Sequence, residues 1–169
     1  MWPFRNNSKI AIELGQELSE FLDIKTLRLP LNQIRQSTQE DLPLEKANLL
    51  IAEICHLRLS ILLSLVFGAL GSKKDMAENA YSAVLAKAVS TGSDLRFDPK
   101  WLSDQSYDQL RLKSTNTEEW VGLLSELFST RVCNIVPALH ATKINEIASK
   151  DTQIILVMVQ RILVNKGLM

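Results

Sequence analysis

Residues 49–70 read LLIAEICHLRLSILLSLVFGAL, and they are apolar around almost the whole circumference of a helix. In water, such a segment is stable only when other helices surround it. Its polar or small residues recur every three or four positions and so share one face: Glu53, His56, Ser60, Ser64 and Gly68. We therefore predict an all-α fold in which the other helices pack around this segment.

The length and composition of the chain fit one globular domain, which we predict to span residues 1–169. The chain is long enough to bury a core, and 46% of its residues are hydrophobic while 22% are charged. Lys plus Arg and Asp plus Glu number 19 each, which gives a formal net charge of zero. Because proteins that bind nucleic acid usually carry a basic excess or stripe, we expect no nucleic-acid partner.

Helix start and stop signals predict a single irregular bundle of six or seven helices. The long apolar helix should run over about residues 43–70, since Asp41 and Pro43 suit its start and Gly71 its end. Around it we predict helices over about 8–22, 74–89, 99–112, 117–136, 138–149 and 152–166. The segment 99–112 should be kinked or split into two short helices. Residues 1–7 are expected to form a short arm.

Residues 23–41 are predicted to be an extended connector. Leu27, Leu29 and Leu31 alternate with polar residues, which is the period of two that is typical of extended chain. Pro30 disfavours both a helix interior and a central strand. A short helix around residues 31–35 is an equally allowed interpretation.

The series Ser60-x-x-x-Ser64-x-x-x-Gly68 predicts a close helix contact. Small side chains let a second helix approach, and the alanine-rich segment 74–89 is the natural neighbour. The alternative is that the series forms the seam of a dimer. In both cases a leucine at Gly68 should overpack the contact and destabilise the protein severely.

Three ionisable residues of the apolar segment are candidate ligand-binding residues: Arg58, His56 and Glu53. Glu53 and His56 have the E-x-x-H spacing of di-iron bundles, but those use two copies and this chain has one, so we predict no metal site. The usual interpretation is that Glu53 and His56 pair with each other or lie at the polar end of the core. Arg58 should reach solvent along its stem or pair with an acid, and its alternative role is to contact a ligand.

Motifs for catalysis are absent from the sequence. There is no GxSxG, no glycine-rich phosphate loop and no HExxH, and the two cysteines show no zinc-ligand spacing. An enzyme remains conceivable only if distant residues converge in space, namely Cys55, His56, Glu53, Cys133 and His140. We therefore expect no cofactor and favour a protein without enzymatic activity.

A cytoplasmic location is expected from the length of the uncharged apolar run and from the start of the chain. The uncharged run 59–70 contains twelve residues, which is fewer than the roughly 18 that cross a bilayer. The start of the chain has no apolar stretch of the kind that signal peptides contain. Peripheral membrane contact through Trp2, Phe4 and the apolar helices is the minor alternative.

The function predicted from these observations is that of a helical protein-interaction module, such as an adaptor, regulator or assembly factor. The last helix is nearly as apolar as the segment 49–70, and one bundle has difficulty burying both, so we expect a homodimer or one protein partner. Alternatively, the last helix is itself at the centre of the bundle. A second functional hypothesis is an apolar pocket between helices for a small acidic or lipid-like ligand. The predicted interface residues are Trp2, Phe4, Ile155, Met158, Val159 and Ile162.

Overall fold

A computed structural model describes residues 7–38, 41–96 and 99–169. In this part of the chain the regular structure is helical throughout, and the predicted all-α bundle is confirmed. Trp2 and Phe4 of the predicted arm lie outside the described residues. Seven α-helices are described, together with 3-10 helices over Glu20–Leu22 and Pro99–Ser103: α1 (Asn7–Ser19), α2 (Ile24–Gln36), α3 (Leu44–Leu70), α4 (Lys74–Asp94), α5 (Ser106–Lys113), α6 (Thr117–Ile135) and α7 (Ala141–Asn165).

Helix α3 is the centre of the bundle, as its sequence predicts. It packs against α2, α4, α5, α6 and α7, while α1 packs mainly on α4 and α6 mainly on α7. Over residues 54–62 every side chain of α3 is buried, including His56, Arg58 and Ser60. The polar side chains in this stretch therefore need partners from the surrounding helices.

The predicted extended connector over residues 23–41 is wrong, because residues 24–36 form α2. Asp23 caps this helix by accepting a hydrogen bond from the Lys25 backbone N–H at 2.9 Å. Leu27, Leu31 and Ile34 have helical spacing and are buried, whereas Leu29 is exposed. Pro30 lies inside the helix and removes one backbone hydrogen bond. Its side chain is buried against the bundle.

Helix α4 extends beyond its predicted stop at residues 91–93 and ends at Asp94. Thr91 donates a hydrogen bond to the Leu22 carbonyl at 2.9 Å, and Gly92 lies beside the Trp101 indole. A Cβ atom at Gly92 would be 3.1 Å from Trp101 Nε1. This glycine therefore permits a close side-chain contact within the helix instead of ending it.

Helix α7 is one continuous helix, although the sequence predicts two. The predicted break rests on Ser149 or Asp151 as a helix cap. Asp151 instead binds Arg58 of α3, while Ala148 and Thr152 are buried within the helix. The predicted division near Ser103–Ser106 and the predicted end of α6 near Val136 are both confirmed.

The predicted close contact at Gly68 is also wrong. A Cβ atom added at Gly68 would meet nothing within 4 Å, and the residue is exposed. The close approach instead involves Gly15 of α1, where a Cβ atom would lie 2.7 Å from the Ala80 carbonyl oxygen and 2.8 Å from Ala83 Cβ. Ala80 and Ala83 of α4 thus accommodate the close approach of α1.

We predict opposite effects for the matched variants Gly15→Ala and Gly68→Ala. Both changes raise helix propensity by up to about 1 kcal/mol. At Gly15 the added methyl group must displace backbone, so we expect a net destabilisation of about 1–3 kcal/mol, whereas Gly68→Ala should be neutral or stabilising. Urea unfolding measures the stability of each variant. Equal stability of the two variants would contradict the assigned contact.

Candidate functional site

The three candidate ligand-binding residues of α3 do not converge on one site. Glu53 and His56 face α5 and α6, whereas Arg58 faces α2 and α7. Residues three apart share a face of a helix, whereas Glu53 and Arg58, five residues apart, lie about 140° apart around it. The structure therefore contains two separate polar clusters along the central helix.

Arg58 is 4% exposed and is held by several partners at once. Its Nε and Nη2 donate to the two carboxylate oxygens of Asp151 at 2.9 and 2.6 Å. Nη1 donates to the Phe21 carbonyl at 2.9 Å and to Thr26 Oγ1 at 3.3 Å. The predicted pairing with an acid is confirmed, and this bidentate geometry gives Arg58 a structural role between α3, α7 and the start of α2.

Glu53 belongs to a second cluster, which joins α3 to α5 and α6. Tyr107 donates a short hydrogen bond to Glu53, and Arg131 donates to the same carboxylate at 3.2 Å. Arg131 also donates to Asp104 at 2.6 Å and stacks over the Tyr107 ring, with 4.8 Å from its Cζ to the ring centroid. Asp104, Tyr107 and Arg131 were not candidates from the sequence, because their only sequence signal is their residue type.

His56 completes this cluster and does not pair with Glu53. Its Nε2 lies 2.8 Å from the Asp104 carbonyl oxygen. A carbonyl only accepts, so Nε2 carries the proton. The imidazole also makes edge contacts with Trp101 and Tyr107, whose ring centroids are 5.5 and 5.1 Å away. Together these contacts hold the segment 101–107 against α3.

The chemistry of the Glu53 cluster is that of a closed hydrogen-bond network. Burial and the adjacent Glu53 carboxylate raise the pKa of Tyr107, so its hydroxyl stays protonated at neutral pH. The Tyr107 side chain is fully buried. A proton donor without access to a substrate stabilises the fold, so we assign this cluster a structural role.

Asp104 makes the stability of this cluster dependent on pH. Burial opposes ionisation of its carboxyl group, but hydrogen bonds from Ser106 and Arg131 outweigh that effect and lower the pKa to about 2. A carboxyl group with a lowered pKa stabilises the folded state above its unfolded pKa of about 3.9, and this contribution is lost as the pH falls toward 2.

We predict that Asp104→Asn is less stable than the parent protein at about pH 6, by roughly 1 kcal/mol, a value reduced for solvent screening. The reduction is needed because the Asp104 side chain is 37% exposed. Between about pH 4 and pH 2 the variant should lose less stability than the parent. Urea unfolding between about pH 2 and pH 6 measures the stability of variant and parent, and Asp94→Asn at an exposed residue is the control. If the stabilities of Asp104→Asn and the parent changed in parallel with pH, the assignment would be refuted.

The residues that could have converged into a catalytic or metal site remain apart. Cys55 is buried, Cys133 donates to the Leu139 carbonyl at 3.6 Å, and His140 is exposed at the start of α7. Within the described residues no group of three or more His, Cys, Asp or Glu side chains could hold a metal ion.

We predict that Cys55 is inert toward thiol reagents in the native protein. Burial raises its thiol pKa to about 12, and the nearby Arg58 offsets this only in part. At about pH 8, roughly one thiol in ten thousand is then ionised. Mass spectrometry after maleimide treatment should show label first on the partly exposed Cys133. Equally fast labelling of Cys55 in native and urea-unfolded protein would contradict this.

The outward side of α7 is an apolar surface, which we call the α7 face. It differs in part from the predicted interface, because Ile155 and Val159 are buried in the bundle and Ile162 is partly buried. Met158 is exposed, as predicted. The α7 face consists of Ile154, Val157, Met158 and Val164, with Lys150, Arg161 and Asn165 among them.

A cleft of about 210 Å³ lies between the C-terminal half of α3, the start of α6 and the C-terminal half of α7. We call it the Trp120 cleft. Trp120 and Arg111 line it, and Arg111 Cζ lies 5.4 Å from the Trp120 ring centroid. Neither residue was a candidate from the sequence, because the cleft also needs α3 and α7, which meet these residues only in the folded chain.

Helix α3 is also long and apolar enough to cross a membrane. However, 67% of its apolar 18-residue window is buried inside the bundle, as is usual for the core helix of a globular protein. No protein family, curated protein or solved structure matches this chain. Its function must therefore be argued from its own surfaces.

Proposed function

We propose that this protein is a helical protein-interaction module that pairs with a second copy of itself through the α7 face. One observation carries the proposal: four large apolar side chains on one side of one helix are each between 47% and 57% exposed, namely Ile154, Val157, Met158 and Val164. Although Lys150, Arg161 and Asn165 lie among them, four exposed apolar side chains on one side of a helix favour a contact site. The cytoplasmic location expected from the sequence stays a prediction.

The opposite side of α7 explains why these residues face outward. Ile155, Leu156, Val159 and Leu163 pack into the bundle, and Asp151 is bonded to buried Arg58. Rotating the helix to bury its outer side would expose these residues and break a buried ion pair, which typically costs about 3–5 kcal/mol. Within the described residues nothing covers the α7 face, so we expect another molecule to cover it.

Charge placement favours a second copy as that molecule. In an antiparallel α7 pair with its twofold axis between Val157 and Met158, Arg161 lies opposite Ile154 of the partner subunit. Lys150 then lies opposite Asn165 of the partner subunit, so no like charges lie directly opposite each other and the Arg161 stem can cover an apolar residue. The net charge of zero adds no long-range repulsion, and twofold pairing is the commonest closed assembly.

We predict that sedimentation equilibrium at micromolar concentrations gives twice the monomer mass of 19.0 kDa. Val157→Glu places two carboxylates beside the twofold axis, so it should weaken the dimer by about a hundredfold or more. Val157 is half exposed, so the variant should fold.

The matched control is Leu29→Glu on α2, which adds the same charge at an exposed leucine on another helix. This variant should remain dimeric. A monomer mass for the parent protein at every concentration would refute the proposal, and so would a Val157→Glu variant that dimerises as well as the control.

A further inference from the structure

The Trp120 cleft has apolar walls and the size of a small-molecule site. Leu65 and Ala69 of α3 form one wall, and Leu156 and Leu163 of α7 form another, with Met169 at the rim. Its volume is about 210 Å³. An apolar cavity of about 150 Å³ accommodates benzene. The cleft therefore has room for one ring or one short alkyl chain, and not for a helix of a partner protein.

The polar side chains that line the cleft are those of Ser64, Arg111, Thr117, Trp120 and Gln160, and that of Arg111 only donates hydrogen bonds. Trp120 is 2% exposed, and among the described residues its indole Nε1 has no acceptor. A buried donor without an acceptor is costly in a folded protein and calls for an explanation. Thr117, the first residue of α6, also lines the cleft, so the positive end of this helix lies there.

Arg111 supplies a positive charge at the same place. Its guanidinium makes one long hydrogen bond of 3.5 Å to Ser114 and lies over the Trp120 ring. In the described part of the chain no side-chain carboxylate is within ion-pair distance of it, and none lines the cleft. The nearby Glu119 is bonded to the Thr115 backbone and hydroxyl instead.

From these contacts we propose that the Trp120 cleft binds a small organic acid. Its carboxylate lies between Arg111 and the first turn of α6, and its apolar tail lies between Leu65, Leu156 and Leu163. A neutral apolar compound would leave the guanidinium without a counter-charge, and a bare anion would leave the leucine walls in water. We therefore place the ligand-binding site in this cleft and not at the predicted residues Arg58 and His56, whose polar groups are bonded within the bundle.

Octanoate is the probe for this site, with octanol and acetate as controls that carry only the tail or only the charge. The indole N–H signal of Trp120 in a ¹H–¹⁵N NMR spectrum reports binding, and its assignment comes from Trp120→Phe. We expect saturable shifts of this signal with octanoate, and at least about tenfold weaker binding of octanol and acetate.

Three variants test the assigned contacts. Arg111→Gln should weaken octanoate binding about tenfold, whereas Lys113→Gln, which removes the same charge from an exposed residue of the same helix, should not. Gly68→Leu places a side chain in the cleft from a position where a Cβ atom meets nothing within 4 Å, so it should block binding while the protein stays folded. Thermal unfolding verifies the fold of each variant.

The proposal is overturned if octanoate at millimolar concentration leaves the Trp120 signal unchanged, if octanol binds as tightly, or if Arg111→Gln and Lys113→Gln bind equally well. The titration is repeated in Val157→Glu, since Val157 does not line the cleft. The same octanoate affinity in that variant separates the acid site from the proposed dimer, so either proposal can fail alone.

Discussion

The fold depends on one constraint, which is that the polar side chains buried in α3 must all find partners. The partners come from three neighbouring helices: Arg58 binds Asp151 of α7, Glu53 binds Tyr107 of α5 and Arg131 of α6, and Ser60 donates to Asp108 of α5 at 2.5 Å. Apolar packing alone is non-directional and would tolerate rotation of these helices. A buried polar group without its partner costs about 1–3 kcal/mol, and a charge costs more. These bonds therefore set the rotation of α5, α6 and α7 about their own axes.

The consequence is clearest for α7. Its contact with Arg58 directs one side of the helix into the bundle and leaves Ile154, Val157, Met158 and Val164 outside. Farther along, the same helix contributes Leu156 and Leu163 to the Trp120 cleft. The proposed dimer surface and the proposed acid site thus use different sides of one helix, and both follow from how α3 holds it.

The candidate site shows where sequence reasoning was sufficient and where it was not. The pairing of Arg58 with an acid was predictable, because a buried guanidinium requires one. Which acid pairs with it was not, since Asp151 is 93 positions away and equally suited to capping a helix. Arg111 and Trp120 show no signal in the sequence, because neither an exposed arginine nor a tryptophan in a helix indicates a ligand site. Only the folded chain brings them to the lining of one cleft.

Local patterns determined what depends on local physics. The apolar circumference of residues 49–70 required a central helix, and proline and capping residues marked where α3 starts and where α6 ends. Tertiary contacts decided the rest. Helix α2 forms in spite of Pro30 because Leu27, Leu31 and Ile34 are buried together. Gly15, not Gly68, is the close contact because Ala80 and Ala83 of α4 lie against α1 at that point. A single residue such as Gly15 or Asp151 suits several roles, and only the packed neighbours select one, because the free energy of burial belongs to the contact and not to the residue.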